Sequence, residues 1–311
     1  MSDVTISPDV ADSTSVVTRR YIALWLLVGI LIIIDVVWCM TDLYTVPIQQ
    51  IAAHAAVPLG LCMAAATLLL GGPHIRSGRF LNLTRRLQAA LAWIALTMVA
   101  SEALVILQYL CVSVDAPLID SWLIRADSAI GFSWPEMANW YVSHPLVTYL
   151  LWLVYNWLLY GVPIVIALLA WMKQDHELSE FVVLFVAVTL CAIVISAPFP
   201  ATNPRTFFAS LIGRYGFATQ YFFDLRSQST HLMQLDNPMG LVSMPSLHAA
   251  DAVLLTYAVR HLRKLFPPAV VLNGTMIWSA LFIGGHYLCD IIAGIALASV
   301  SIALLRKARS I

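Results

Sequence analysis

The chain has 311 residues, of which 17 are basic and 17 acidic, so its formal net charge is zero. Hydrophobic residues make up 60% of the sequence and charged residues 11%, against about 25% charged residues in an average soluble domain. So few charges cannot cover the surface of a water-soluble globule, and the ten Trp and eleven Tyr exclude a disordered chain. The balanced charge gives no indication of a nucleic-acid partner.

Long apolar segments dominate the chain from residue 21 onward. A bilayer core of about 30 Å needs roughly 20 apolar residues per helix, so we predict an all-α polytopic membrane protein with about eight transmembrane helices. The predicted spans are residues 22–40, 51–71, 87–112, 145–171, 180–198, 246–262, 267–285 and 287–305.

Three regions follow from these spans. Residues 1–20 are predicted to be a polar cytoplasmic tail, residues 21–75 two additional transmembrane helices, and residues 85–306 a six-helix core. The tail precedes a full-length first span without a small-residue cleavage site, so we expect a retained anchor rather than a signal peptide.

The basic residues are unevenly distributed between the predicted loops. With both termini in the cytoplasm, thirteen of the 17 basic residues fall on the cytoplasmic side. The four on the other side are Arg125, Arg205, Arg214 and Arg226. The positive-inside rule therefore predicts cytoplasmic termini and an even number of spans.

Two long segments, residues 113–144 and 199–245, are predicted to lie on the non-cytoplasmic side. The first mixes isolated charges with aromatic residues, which is typical of an amphipathic helix lying in the membrane interface. The second begins among closely spaced prolines, which indicate a helix end, and continues through Arg205 into an aromatic-rich stretch.

A dense group of polar residues begins the predicted sixth span, in the sequence Ser243-Met-Pro-Ser-Leu-His248-Ala-Ala-Asp251. Pro245 and Ser246 predict a helix start, where unpaired backbone N–H groups favour an anion. His248 then lies in the first helical turn. Asp251 follows one turn later, where it either forms a structural pair or tunes His248.

A second polar group lies at the turn between the predicted seventh and eighth spans. His286 and Asp290 are four residues apart, so they share a face if the segment is helical. The carboxylate would then hold one ring nitrogen protonated and leave the other for nucleophilic attack. Together with His248 and Arg205 at the same membrane face, this pair suits the cleavage of a phosphate ester.

The sequences Pro245-Ser-Leu-His248 and His286-x-x-x-Asp290 resemble the second and third motifs of the type 2 phosphatidic acid phosphatase superfamily. Within it, the second motif is more similar to that of the inositol phosphorylceramide synthase branch. The clear similarity covers residues 196–305, and a weaker similarity covers residues 120–135.

This resemblance implies a six-helix catalytic core that works through a phosphohistidine intermediate, without a metal or another cofactor. It implies that His286 is the nucleophile, Asp290 its orienting partner and His248 the acid for the leaving group. The expected partners are a phospholipid or lipid-phosphate substrate, a lipid alcohol acceptor and the bilayer. Substrate contacts are expected from four further residues: Arg205, Ser246, Ser279 and Asp251.

The chain departs from the superfamily motifs at three cationic or proline positions. Ala280 replaces the arginine of the third motif, while Pro198 and Thr206 replace the lysine and proline of the first, in which Arg205 remains. Arg214 and Arg226 are alternative cations. Fewer cations favour a phosphodiester, so we predict transfer to a lipid alcohol, with hydrolysis by a lipid phosphatase as the alternative.

A third hypothesis is a lipid or proton-coupled transporter without enzymatic activity. It predicts ionisable residues along several spans, whereas here they cluster at one face. Asp35 and Glu102 are expected to hydrogen-bond to neighbouring helices, and His54 has no patterned partner. Tyr155 belongs to an aromatic cluster that we interpret as packing and interface residues.

Overall fold

The computed structural model describes residues 8–72, 78–208, 217–235, 241 and 243–309. Within these ranges the regular structure is α-helical, with one isolated bridge between Thr45 and Leu232. The helices, in chain order, are α1 (Pro8–Thr41), α2 (Ile48–Gly71), α3 (Gly78–Val112), α4 (Asp120–Ala129), α5 (Trp134–Ser143), α6 (Pro145–Tyr155), α7 (Trp157–Trp171), α8 (Asp175–Ser196), α9 (Pro204–Phe207), α10 (Phe217–Arg226), α11 (Leu247–Ala258), α12 (Phe266–Phe282) and α13 (Leu288–Arg309).

Six helical segments in the described ranges are long and apolar enough to cross a membrane. They are Ser15–Thr41, Ile48–Gly71, Gly78–Val112, Pro145–Trp171, Asp175–Ser196 and Leu288–Ala308. The predicted class is therefore confirmed: this is an all-α, integral membrane protein with several spans. The other two predicted spans correspond to α11 and α12, which have 12 and 17 residues. At 1.5 Å per residue they are about 18 and 26 Å long, shorter than the bilayer core, so the total of eight stays a prediction.

The first helix begins earlier than the sequence predicts. Residues 8–20, which were expected to belong to a polar tail, continue α1 without a break. Beyond Pro8 this helix contains no proline, so nothing in the backbone stops it. In addition, Arg20 donates a hydrogen bond to the hydroxyl of Ser179 on α8 over 2.9 Å, which holds this turn against the bundle. Residues 1–7 lie outside the described residues.

The predicted fourth span is divided into α6 and α7 at Asn156. The side-chain amide of Asn156 donates to the carbonyl of Trp152 over 2.7 Å, four residues earlier. This hydrogen bond competes with the regular helix ladder, as Asn side chains commonly do. The division lies directly after Tyr155, a residue that contributes to the site described below.

The helix α3 packs against α1, α2, α7 and α8, and α11 packs against α8, α12 and α13. Burial distinguishes inner from outer helices. In the 18-residue apolar stretch of α8, 56% of the residues are buried in the protein, against 11% in that of α2. Helix α2 is therefore peripheral, whereas the division into two additional helices and a six-helix core stays a prediction.

The predicted interfacial segment, residues 113–144, forms the two short helices α4 and α5. One face of α4 is buried and carries Asp120, Leu123 and Asp127. The opposite face exposes Trp122 and Arg125, whose guanidinium lies 4.7 Å from the indole ring. The helix is therefore amphipathic, as predicted, but its buried face carries two carboxylates.

Candidate active site

His286 lies in the loop between α12 and α13, rather than in a helix. Gly285 has a φ of +66°, a left-handed conformation that favours glycine. At Gly284, an added Cβ would lie only 2.7 Å from the carbonyl oxygen of Ala280. These two glycines let the chain turn sharply before α13, which begins at Leu288.

His286 and Asp290 are in contact, as predicted, but they do not share a helix face because His286 is not helical. His286 Nδ1 lies 3.5 Å from Asp290 Oδ2, and their side chains are 7% and 0% exposed. Asp290 is in the first turn of α13, so the histidine reaches it from the preceding loop. Because Nδ1 faces the carboxylate, the other ring nitrogen, Nε2, faces away from it.

Hydrogen bonds to Asp290 connect the two sequence motifs. The hydroxyl of Ser243 donates to Asp290 Oδ2 over 2.7 Å, and the backbone N–H of Tyr287 donates to the same oxygen over 3.0 Å. The backbone N–H of Ser246 donates to the Asp290 carbonyl over 3.0 Å. The segment before α11 is therefore held against the first turn of α13.

His248 occupies the first turn of α11, as predicted, with Ser246 as its N-cap. The rings of His248 and His286 have centroids 6.2 Å apart. On His248 lies the ring of Tyr155, stacked at 4.1 Å with an interplanar angle of 14°. The hydroxyl of Tyr155 is 3.4 Å from His248 Nδ1. Tyr155 is thus part of the site, and the interpretation of this residue as mere packing was incomplete.

Arg205 lies beside the loop that carries His286. It belongs to the short helix α9, where the Asn203 side chain accepts a hydrogen bond from Thr206 N over 2.9 Å. The Arg205 guanidinium donates a hydrogen bond to the carbonyl of Phe282 and lies 5.0 Å from the centre of the Phe282 ring. A Cβ on Gly285 would be 3.7 Å from Arg205 Cδ. The structure therefore places Arg205 against Phe282 and Gly285, next to the loop that carries His286, and its contact with a phosphate stays a prediction.

The other predicted substrate contacts have different surroundings. Ser246 and Ser279 are both fully buried. The Ser246 hydroxyl accepts from Ala249 N, and the Ser279 hydroxyl donates to Met276 O over 2.7 Å. Serines bond to nearby backbone in this way at and within helices, so both hydroxyls have structural partners, and their contact with a substrate stays a prediction. Asp251 is also buried, and its Oδ1 has no hydrogen-bond partner within the described ranges.

Two carboxylates of α4 hold the loops of the site, and the sequence did not single them out. Asp127 accepts hydrogen bonds from the backbone N–H groups of Leu288 and Cys289, each over 2.9 Å. These are the first two residues of α13, so Asp127 caps the helix that carries Asp290. A carboxylate at a helix N-terminus also interacts favourably with the helix dipole.

Asp120, the second carboxylate, joins the two loops on either side of the site. It accepts from the Thr202 hydroxyl over 2.6 Å and from the Tyr287 hydroxyl over 2.8 Å. Burial, and then the charge of Asp120, raise the pKa of Tyr287 above its usual range, so Tyr287 remains a donor. A seven-residue spacing places Asp120 and Asp127 on one helix face, and this was the available sequence signal.

Of the alternative cations, Arg226 is described by the structure, and its contacts lie outside this group. The Arg226 guanidinium bonds to Asp115 Oδ1 over 2.8 Å and also to the carbonyl of Ala116. Arg226 therefore holds the loop between α3 and α4. Arg214 lies outside the described residues.

A family model described as the PAP2 superfamily matches residues 121–304, which is more than half of the chain. The matched range contains both histidines, Asp290, Arg205 and Asp127. Comparisons with curated proteins and with solved structures give no match. The match supports the superfamily to which the motifs point, whereas the inositol phosphorylceramide synthase branch stays a prediction.

Proposed function

The chain belongs to the PAP2 superfamily, and on this premise we propose that it is a membrane enzyme that transfers the phospho-head group of a lipid to a lipid alcohol. Members of this superfamily are typically phosphatases or phosphotransferases. The observation that carries the proposal is the pairing of His286 with Asp290 at 3.5 Å, beside His248 and Arg205.

The proposed reaction has two steps. In the first, Nε2 of His286 attacks phosphorus, the bond to the leaving oxygen breaks, and His248 donates a proton to that oxygen. In the second, His248 takes the proton of the acceptor hydroxyl, whose oxygen attacks phosphorus and releases His286. Asp290 orients the His286 ring throughout, and Arg205 stabilises the charge on the phosphoryl oxygens.

The small number of cations favours a phosphodiester substrate with a single negative charge. Of the three cationic positions in the superfamily motifs, only that of Arg205 carries a cation in this chain. Ala280, at the position of the third-motif arginine, is fully buried in an apolar cluster with Ala249, Leu281 and Ile291. The features that favour the transferase over the phosphatase are the Pro245-Ser-Leu-His248 form of the second motif and the missing arginine of the third.

A lipid panel tests the proposal. The purified protein is reconstituted in vesicles with single donor phospholipids, with and without a lipid alcohol, and the products are identified by mass. We expect a new phospholipid only when the alcohol is present, and no product from His286→Ala. Inorganic phosphate from a phosphomonoester donor, or the phosphorylated head group from a phosphodiester donor, without a new phospholipid would identify hydrolysis, the phosphatase alternative. Head-group release by His286→Ala would contradict both.

We further propose that both termini are cytoplasmic and that the site lies on the opposite face. The support is the distribution of basic residues, thirteen against four. A cysteine introduced at the exposed Ser229 should react with a membrane-impermeant maleimide in intact cells, whereas one at the exposed Lys264 should react only after permeabilisation. The reverse pattern would overturn the orientation.

A further inference from the structure

A cavity of about 380 Å³ lies between α1, α2 and α3, and none of its lining residues belongs to the candidate active site. Eleven side chains line it, and nine of them are apolar or thiol groups, including Trp25, Ile51 and Val99. The two exceptions are His54 on α2 and Glu102 on α3. We call this cavity the His54–Glu102 slot.

The slot runs along the peripheral helix α2. Its lining extends on that helix from Ile51 to Cys62, eleven residues further along, which is a rise of about 17 Å at 1.5 Å per residue. This length is about half of the hydrocarbon core of a bilayer. Only 11% of the 18-residue apolar stretch of α2 is buried within the protein, so α2 faces the bilayer. A ligand therefore enters this slot from the bilayer. Its shape and lining therefore suit a lipid hydrocarbon chain.

A polar pair interrupts this apolar wall. His54 Nδ1 lies 2.9 Å from Glu102 Oε1, and the side chains are 25% and 32% exposed. The sequence predicts a structural or solvated role for His54, and this contact is a structural one. The expected contact of Glu102 with a neighbouring helix is confirmed. Ionisable residues within a span are costly and generally face a cavity or a partner. Here they do both.

The position and charge of the pair define the class of ligand. His54 is six residues into α2, about 9 Å from the start of the helix. A carboxylate offers about four acceptor sites, of which the contact with His54 occupies one. Such a group attracts hydroxyl and amide N–H donors and repels the phosphate of a phospholipid. The ligand that fits is a neutral lipid with a hydrogen-bond donor close to its hydrocarbon chain.

We propose that the His54–Glu102 slot binds a neutral lipid alcohol or amide from the bilayer. The lipid donates a hydrogen bond to Glu102, and one hydrocarbon chain lies along α2 between Ile51 and Cys62. This binding site is separate from the histidine site and does not depend on the proposed reaction.

Photo-crosslinking with a defined lipid tests the proposal. The probe is a diacylglycerol with a diazirine and an alkyne in one acyl chain, and two comparison probes carry the same chain. One is its methyl ether, which lacks the hydroxyl donor, and the other is the corresponding phosphatidylcholine. Because a hydrogen bond to a charged group strengthens binding by about tenfold or more, we expect the diacylglycerol to label α1–α3 peptides at least about tenfold more than either comparison probe.

Three variants locate the labelling. Ala55→Phe fills the slot and leaves the polar pair in place, whereas Ala56→Phe adds the same bulk to the adjacent, exposed residue outside the lining. Glu102→Gln removes the charge at nearly constant shape. We expect Ala55→Phe to abolish the labelling, Glu102→Gln to reduce the preference for the hydroxyl probe, and Ala56→Phe to change neither.

Equal labelling by the methyl ether or by phosphatidylcholine would overturn the proposal, as would full labelling of Ala55→Phe. A His286→Ala variant separates this proposal from the enzymatic one. It should bind the probe as the unmodified protein does, even though it is expected to lack turnover.

Discussion

Replacing Asp127 by alanine removes both hydrogen bonds that the α4 carboxylate accepts from the first turn of α13. Loss of a helix N-cap costs about 0.5–2 kcal/mol, and a buried donor left without a partner costs about 1–3 kcal/mol. The two N–H groups, on Leu288 and Cys289, are partly buried, so we expect the free energy of unfolding to fall by about 2 kcal/mol.

The same substitution should lower turnover, because Asp290 lies in the turn that Asp127 caps. A displacement of about 1 Å in a catalytic group can cost about 100-fold in rate. Asp127 bonds to the backbone of α13 rather than to either histidine, so kcat should fall by about 10- to 100-fold while KM changes little. Asp127→Asn keeps one carbonyl acceptor and should fall between the unmodified protein and Asp127→Ala.

The assay combines thermal unfolding in detergent with turnover of a lipid donor, normalised to folded protein. Glu136→Ala is the matched control, because it removes an exposed carboxylate from the neighbouring helix α5. Exposed substitutions usually change stability by less than about 0.5 kcal/mol. If Asp127→Ala behaves like Glu136→Ala in both measurements, the proposed positioning is refuted. If only stability falls, Asp127 caps α13 without positioning the site.

Three further substitutions test other contacts. Tyr155→Leu removes the ring stacked on His248, a contact that contributes about 0.5–1.5 kcal/mol, so kcat should fall severalfold. Tyr155→Phe keeps the ring and should retain activity, and equal losses in both variants would contradict this reasoning. Asp35 is buried, and neither of its carboxyl oxygens has a hydrogen-bond partner among the described residues, so Asp35→Leu should raise the unfolding midpoint in detergent, and a lower midpoint would refute the reasoning. Glu180 accepts from the Tyr257 hydroxyl over 2.6 Å and pairs with the partly exposed Arg260 at 3.3 Å. Glu180→Ala should therefore destabilise the protein by about 1–3 kcal/mol, unlike the control Glu177→Ala.

The helices were predictable where composition alone decides them. Long apolar runs must form helices in a bilayer, because no water is present to satisfy the backbone. Their ends were less predictable. The continuation of α1 to Pro8 depends on polar residues that have no apolar signal, and the division at Asn156 depends on a single side-chain hydrogen bond.

The centre of the candidate site was predictable because its residues lie in short motifs. His248 follows a proline and a serine that start a helix, and His286 lies four residues from its carboxylate. The expectation that Asp35 bonds to a neighbouring helix was wrong, since both of its oxygens are buried without a hydrogen-bond partner in the described part of the chain.

The supporting contacts could not be derived from sequence spacing. Asp120 meets Tyr287 across 167 positions of the chain, and Asp127 meets Leu288 across 161. Tyr155 meets His248 across 93 positions. Such pairs form only when separate helices pack together, and an amphipathic pattern indicates which face of α4 is buried without indicating what it touches.

The most direct test of the central claim is to trap the covalent intermediate. A donor lipid labelled with radioactive phosphorus is mixed with His248→Ala, which is expected to retain the nucleophile and lack the proton donor and acceptor. The protein is then digested without acid, and the labelled peptide is identified by mass. We predict an acid-labile label on His286 in this variant, and none in the double variant with His286→Ala. Label on another residue, or turnover by His286→Ala alone, would contradict the assignment of His286 as the nucleophile.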